Sequence, residues 1–299
     1  MKVTHLLYTP FTGLGMYGGY RGKRWLRNRI AVFKQFVIPS LQNQTDQDFV
    51  HWISWRPEER DNPLVRELYY YMKNTANYEF VFTYSGLCFY DDKLPHDVAM
   101  DKLIMNLHKT SHELVDILED NVLMTIQPSD DLYRKDMVEF MKKTLLQTDY
   151  QAAGYTKGYI MNYGTKEVCE YNPKTNPPFF TIKFTKEVFI NPSLHANYTG
   201  PYQSHEYVGK YLKYMQVDTR GFLVGTHGEN ISTHFSHPFK GVQVYGVLED
   251  FGVATVPALT LPISLRKKML RMLPHSWQRK LRYWFGERMY NVFYNWIRS

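Results

Sequence analysis

Residues 122–133 read VLMTIQPSDDLY: an apolar run, a proline, and then two adjacent carboxylates. The run Val122–Ile126 is short and bounded, which predicts a buried β-strand. Asp130 and Asp131 follow the carboxyl end of that strand, and in an open α/β sheet ligands bind at this edge. Because like charges repel, a cation would help to keep both acids ionised, and aspartate oxygens suit Mg²⁺ or Mn²⁺. The stretch therefore predicts a metal–diphosphate site.

A solvated turn is the alternative for the same stretch. Proline, serine and aspartate are common in turns, and Asp131 could cap the helical pattern at 134–146. The stretch alone leaves both interpretations open.

The length and composition predict an α/β protein with a hydrophobic core, arranged as one large domain or two smaller ones. The chain has 299 residues, of which 44% are hydrophobic and 16% aromatic, which is ample for a core. Its two cysteines, Cys88 and Cys169, cannot form a disulfide framework. No signal peptide and no spanning-length apolar run is recognisable. We therefore expect a cytoplasmic location.

The net charge of +7 is concentrated at the end of the chain, where residues 264–299 contain nine Lys or Arg and one acid. Aromatic and apolar residues recur there at helical spacing, with the basic residues largely off that stripe. This pattern is typical of a helix lying on an anionic bilayer, and it predicts peripheral contact with the inner face of the membrane. A helix docked on the protein body is the alternative. Because the rest of the chain is nearly neutral, we expect no nucleic-acid partner.

Strand and helix patterns alternate up to the Asp pair, in the order βαβαβαβ that predicts a parallel sheet. The strand patterns are 3–9, 49–55, 78–84 and 122–126, and the helical patterns are 25–38, 62–74 and 100–119. Pro39 is expected to end the first helix. After residue 146 the pattern changes, and a hairpin of 158–163 with 168–171, followed by a strand at 179–184, predicts a smaller antiparallel part.

Three further segments carry candidate site residues. Residues 10–24 contain five glycines and several cations, including Arg24, which suits an anionic diphosphate, although an ordinary surface loop has the same composition. In SHEYV, residues 204–208, Glu206 suits the first turn of a helix and could also act as a general base, with His205 beside it. His227 leaves a strand into a loop flanked by glycines and is a candidate metal ligand.

Four stretches together resemble the nucleotide-sugar glycosyltransferases of the GT-A fold, and more narrowly the rhamnosyltransferase-like group among the family-2 relatives. They are LYTPF at 7–11 with RWLRNRI at 24–30 and Phe33, IPSLQNQT at 38–45 with Asp48, Phe49 and Trp52, SDD at 129–131, and HGENIST at 227–233. The resemblance implies an α/β fold with a mostly parallel central sheet, helices on both faces, a smaller antiparallel part and C-terminal amphipathic helices. It implies a nucleotide-sugar-binding half (1–131) and an acceptor-side half (132–258) of one GT-A domain (1–258), followed by a basic tail (259–299).

The resemblance also implies a reaction. A metal-dependent enzyme, using Mn²⁺ or Mg²⁺, would transfer a sugar, with rhamnose as a candidate, from a nucleoside-diphosphate sugar to a glycan or glycolipid in surface-glycan or polysaccharide synthesis. The transfer would be a direct displacement with inversion. The implied donor-binding residues are Thr9, Arg29 and Asp130, the implied metal ligands Asp131 and His227, and the implied catalytic base Glu206. The residue patterns add Arg24 and Trp55 as donor-binding candidates and His205 as a catalytic candidate.

Two positions depart from the pattern of the family. Gln127 stands where relatives carry a further acid before the Asp pair, and Trp55 with Arg56 stands where they end the second strand with an acid that reads the base. A ribose or metal contact and the recognition of uracil are therefore in question, although an aromatic residue can stack on a base. Two other functions stay open: a non-catalytic nucleotide-sugar or glycan-binding relative, and a nucleotidyl- or phosphoryltransferase using the same two-Asp metal site.

Overall fold

The computed structural model describes residues 2–12, 23–85, 109–191, 208–227, 235, 241–259 and 261. Several sequence predictions lie outside these residues, namely the glycine-rich loop up to residue 22, His205 and Glu206, the loop after His227, and the basic tail from residue 262 onward. Among the described helices, none is both long enough and apolar enough to cross a bilayer.

Four parallel strands form one half of the sheet. They are β1 Val3–Pro10, β2 Val50–Ser54, β3 Glu79–Thr83 and β4 Asn121–Ile126, in the order β3-β2-β1-β4. Each of these strands was predicted, and every bound agrees within one residue. Apolar residues alternate between the two faces: Leu7 and Leu123 belong to one core cluster, and Leu6 and Val122 to the other. Both faces are therefore buried, as expected of a parallel sheet.

Three helices cover the face of this half that carries Leu7 and Leu123. The helix α1 Lys23–Val32 continues through a π-helical turn, Phe33–Val37, into α2 Ile38–Gln42. The prediction that Pro39 ends the helix is wrong, because the helix continues through Pro39 to Gln42, directly after the π-helical turn. The next helix is α3 Pro63–Thr75, whose N-cap Asn62 accepts a 3.0 Å hydrogen bond from the Leu64 amide. Short 3₁₀ turns lie at Pro57–Glu59 and Val115–Ile117.

The second half of the sheet is mainly antiparallel. After β5 Leu132–Tyr133 and α4 Met137–Gln147, the strands β6 Ala152–Asn162 and β7 Val168–Tyr171 form the predicted hairpin. Strand β8 Phe180–Thr185 pairs antiparallel with both β4 and β6, so the sheet is continuous. The remaining elements are α5 Lys186–Ile190, α6 Val208–Tyr211, β9 Tyr214–Thr226, β10 Gln243–Val244 and a 3₁₀ turn at Val247–Phe251. The predicted mixed α/β architecture, with a parallel half joined to an antiparallel part, is thereby confirmed.

Strand β9 determines what lies beside the Asp pair. It runs parallel to β6 and also pairs with β5, with Leu223 opposite Leu132. Since β5 directly follows the Asp pair, the end of β9 arrives next to that loop. The sequence did not predict this pairing, which joins residues far apart in the chain.

Candidate functional site

The loop Gln127–Asp131 leaves β4 at the carboxyl edge of the parallel strands and is fixed there by β1. The Gln127 amide donates to the Tyr8 carbonyl over 2.8 Å, and the Thr9 hydroxyl donates to the Gln127 carbonyl over 2.8 Å. Further back, the Tyr133 hydroxyl donates to the Ile126 carbonyl, also over 2.8 Å. These bonds hold the strand end from which the two carboxylates project.

Asp130 is the point at which three distant parts of the chain meet. Its Oδ2 forms an ion pair with Nη1 of Arg29, from α1, and lies 3.2 Å from Nε2 of His227, at the end of β9. The three side chains are 14%, 5% and 1% exposed, respectively. Burial alone would raise the pKa of Asp130, but the Arg29 charge and the His227 contact outweigh it and lower that pKa to about 2. Asp130 is therefore an ionised acid with a compensated charge.

Asp131 points to a different partner. Its Oδ1 accepts a 2.9 Å hydrogen bond from the amide of Gly225, in β9. Burial and, next in size, the charge of Asp130 raise the pKa of Asp131 well above its usual range. Asp131 therefore carries the less compensated charge of the two, and a cation bound beside it would relieve the repulsion.

Two side chains without a predicted role in the site, Tyr163 and Gln127, hold the backbone of the loop Gln127–Asp131. The Tyr163 hydroxyl donates to the Asp130 carbonyl over 2.8 Å. The Gln127 side chain, which is buried, donates to the carbonyls of Pro128 and Asp131 over 2.9 and 2.8 Å. Gln127, noted above as a departure from the family's pattern, thus serves the fold of the loop. Tyr163 gave no signal in the sequence, because an aromatic residue in a strand usually belongs to the core.

Three predicted donor-binding residues have structural contacts of their own. Thr9 is fully buried beneath the loop and lies 2.9 Å from the His51 imidazole as well. Trp55 is also fully buried and stacks on Phe11, with ring centroids 4.5 Å apart. Arg24 is half-buried in the first turn of α1. The donor-binding roles of Thr9, Trp55 and Arg24 stay predictions.

The two predicted metal ligands differ in how they fit a metal. Asp131 offers a hard carboxylate with a poorly compensated charge, which suits Mg²⁺ or Mn²⁺. His227, in contrast, directs Nε2 at Asp130. Within the described ranges, no group of three His, Cys, Asp or Glu side chains is placed to hold a metal ion. Of the two predicted ligands, Asp131 therefore fits a metal better than His227.

A family comparison supports the resemblance found in the sequence. Residues 20–66 match the model of the family described as "Putative rhamnosyl transferase". The rhamnosyltransferase-like resemblance is confirmed. The matched segment includes Arg29 and the π-helical turn, and it covers the second of the four stretches that carried the resemblance and residues 24–33 of the first. No curated protein sequence matches the chain.

Several solved structures are similar to this chain. S. aureus TarS 1–349 is 11% identical, with a TM-score of 0.37, over 77% of this chain and 62% of that chain. The same protein in complex with UDP-GlcNAc is 10% identical, with a TM-score of 0.40, over 76% of this chain and 59% of that chain. A "putative nucleotide-diphospho-sugar transferase" from Desulfovibrio desulfuricans G20 is 16% identical, with a TM-score of 0.35, over 72% of this chain and 79% of that chain. The chain thus spans less than two thirds of either TarS chain.

Proposed function

We propose that this protein is a divalent-metal-dependent glycosyltransferase that moves a sugar from a nucleoside-diphosphate sugar to a glycan or glycolipid acceptor. The observation that carries the proposal is the meeting of Arg29, Asp130 and His227 at one carboxylate, with Asp131 beside it, at the carboxyl edge of the sheet. The resemblance of residues 20–66 to a rhamnosyltransferase family supports a sugar nucleotide as donor. Rhamnose is the first sugar to test.

The residues have distinct roles in this proposal. Asp131 would hold the metal, which when bound would compensate charge on the departing diphosphate. Asp130, ionised and held by Arg29 and His227, would approach the ribose or diphosphate of the donor. Arg29, paired with Asp130, would lie near the nucleotide, and its planar guanidinium suits phosphate oxygens.

The acceptor chemistry rests on the sequence resemblance alone. Glu206 is the proposed base that takes the proton of the acceptor hydroxyl, with His205 as the second candidate, and the transfer inverts the anomeric carbon. The basic tail, residues 264–299, is the proposed contact with an anionic membrane surface that presents a lipid-linked acceptor.

The decisive experiment is a donor screen with purified protein, nucleotide sugars carrying different bases and sugars, and Mn²⁺, Mg²⁺ or a chelator. We expect release of one nucleoside diphosphate with metal, strongly reduced in Asp131→Asn. The control variant Asp149→Asn changes an exposed acid that contacts Lys213 and should keep full turnover. Cleavage between the α and β phosphates would indicate a nucleotidyltransferase, and metal-dependent binding without turnover, even with acceptors supplied, would indicate a binding protein.

A further inference from the structure

We infer that Tyr163 is a positioning residue of the donor site, and that it determines where Asp130 and Asp131 point. The inference rests on the function proposed above. The Tyr163 hydroxyl donates to the main-chain carbonyl of Asp130 over 2.8 Å, and the side chain is fully buried. Because the bond is made to the backbone, Tyr163 acts on the conformation of the loop rather than on a substrate.

Tyr163 also contacts the helical segment that carries Arg29. Its ring stacks on Phe36, with centroids 3.8 Å apart and an interplanar angle of 9°. Phe36 lies in the π-helical turn that directly follows α1, and such turns are frequent at functional sites. Tyr163 therefore joins the two elements that supply the Arg29–Asp130 ion pair.

Gly225 packs directly against the same ring. A Cβ atom at Gly225 would lie 2.4 Å from the Tyr163 ring and 2.2 Å from the Asp130 carbonyl oxygen, so this close approach of backbone requires a glycine. The amide of Gly225 is also the donor to Asp131. Tyr163 and Gly225 thus form one packed unit that directs Asp130 toward Arg29 and Asp131 toward β9.

The Tyr163 hydroxyl stays protonated at the pH values at which Asp130 and Asp131 act. Burial, followed by the charges of Asp131 and Asp130, raises the pKa of Tyr163 well above its usual range. Tyr163 therefore acts as a hydrogen-bond donor and does not take part in proton transfer.

The test uses Tyr163→Phe, which removes the hydroxyl and keeps the ring on Phe36. The matched control is Tyr214→Phe, which removes a hydroxyl that donates to Asn176 over 3.1 Å. Two properties are measured in the full-length protein: hydrogen exchange of the Gly225 amide, and the affinity for UDP, GDP and dTDP with Mn²⁺ by calorimetry. Since Tyr163→Phe loses one buried hydrogen bond, we expect the Gly225 amide to exchange about tenfold faster. We also expect the affinity for the nucleotide that binds the wild type to fall about tenfold. The control should change neither property.

Two results would overturn the inference. One is unchanged exchange at Gly225 in Tyr163→Phe, and the other is faster exchange with unchanged nucleotide affinity, which would make Tyr163 a purely structural residue. If Tyr163→Phe does not fold, Phe36→Leu, which removes the stacked ring but keeps the hydroxyl, must show the same two effects. A wild-type protein that binds none of the nucleotides would instead contradict the proposed function, and exchange at Gly225 would then decide alone whether Tyr163 orients the loop.

Discussion

Arg29 and Asp130 form a buried ion pair that connects the first helix to the loop after β4. The contact joins two stretches that are far apart in the sequence but share one edge of the sheet. His227 adds a third stretch at the same carboxylate oxygen. A charged group that is both buried and shared in this way lowers the stability of the fold when its partner is removed.

Replacing Arg29 by methionine should destabilise the fold, because Asp130 then keeps its charge without its principal partner. A buried pair broken on one side typically costs about 3–5 kcal/mol, and denaturant unfolding would measure the loss. The double variant Arg29→Met with Asp130→Asn should recover much of this stability, since no uncompensated charge remains. A loss that is equal in the single and double variants would contradict the coupling.

Asp131→Asn should abolish stabilisation by the metal without destabilising the metal-free protein. The amide oxygen can still accept the Gly225 hydrogen bond, while the repulsion from Asp130 disappears, so the metal-free variant should be at least as stable as the wild type. Mn²⁺ at about 100 times its dissociation constant should stabilise the wild type by about 2.7 kcal/mol and leave the variant unchanged. Thermal unfolding with Mn²⁺ and with a chelator gives both comparisons, and equal stabilisation of the two proteins would argue against Asp131 as a ligand.

Gly225→Ala should disturb the site strongly. The added methyl group meets the Asp130 carbonyl and the Tyr163 ring at distances that require the loop to move, and overpacking of this kind costs about 1–3 kcal/mol. The control Gly209→Ala has its nearest neighbour, Tyr214, at 3.4 Å and should be nearly neutral. Circular dichroism melts and the turnover assay on both variants test the difference, and a fully active Gly225→Ala protein would refute the tight packing.

The stability of the protein should fall as the pH is lowered below about 6.5, the usual pKa of histidine in an unfolded chain. Burial lowers the pKa of His51 to about 3, and burial together with the Lys142 charge lowers that of His5 to about 3. The folded state binds these protons less readily than the unfolded state. Each histidine therefore lowers the free energy of unfolding by about 1.4 kcal/mol for every unit by which the pH falls between 6.5 and 3.

Urea unfolding at a series of pH values measures this slope. In His5→Gln, the glutamine amide can still bond the Thr125 hydroxyl that His5 contacts. The variant should therefore reduce the slope by the contribution of one histidine, about 1.4 kcal/mol per pH unit. An unchanged slope in this variant would show that other groups dominate the acid sensitivity.

Local patterns were sufficient for much of the fold. The strands β1 to β4 are short apolar runs with clear boundaries, and the helix at 62–74 and the hairpin of β6 and β7 follow local rules. The helix end at Pro39 was mispredicted because a π-helical turn lets the chain pass the proline, and no simple pattern marks such a turn. The parallel pairing of β9 with β6 depends on tertiary packing, which periodicity does not encode.

The site was predictable in its charged residues but not in its supporting ones. Asp130 and Asp131 stood out as adjacent acids after a strand, His227 as a histidine that follows another strand, and Arg29 came from the family resemblance. Tyr163 and Gly225 were missed, since their importance comes from contacts across the sheet rather than from residue type. Glu206 and His205 lie outside the described residues, and their roles stay predictions.

The π-helical turn at Phe33–Val37 can be regarded as a single extra residue accommodated inside a helix. If the same residues instead formed a regular α-helix without this wider turn, one side of the helix would rotate relative to the other by about 100°. With α2 held in the core, that rotation would carry Arg29 away from the sheet edge. The electrostatic partner of Asp130 therefore depends on the wider turn of a segment that itself carries no part of the chemistry.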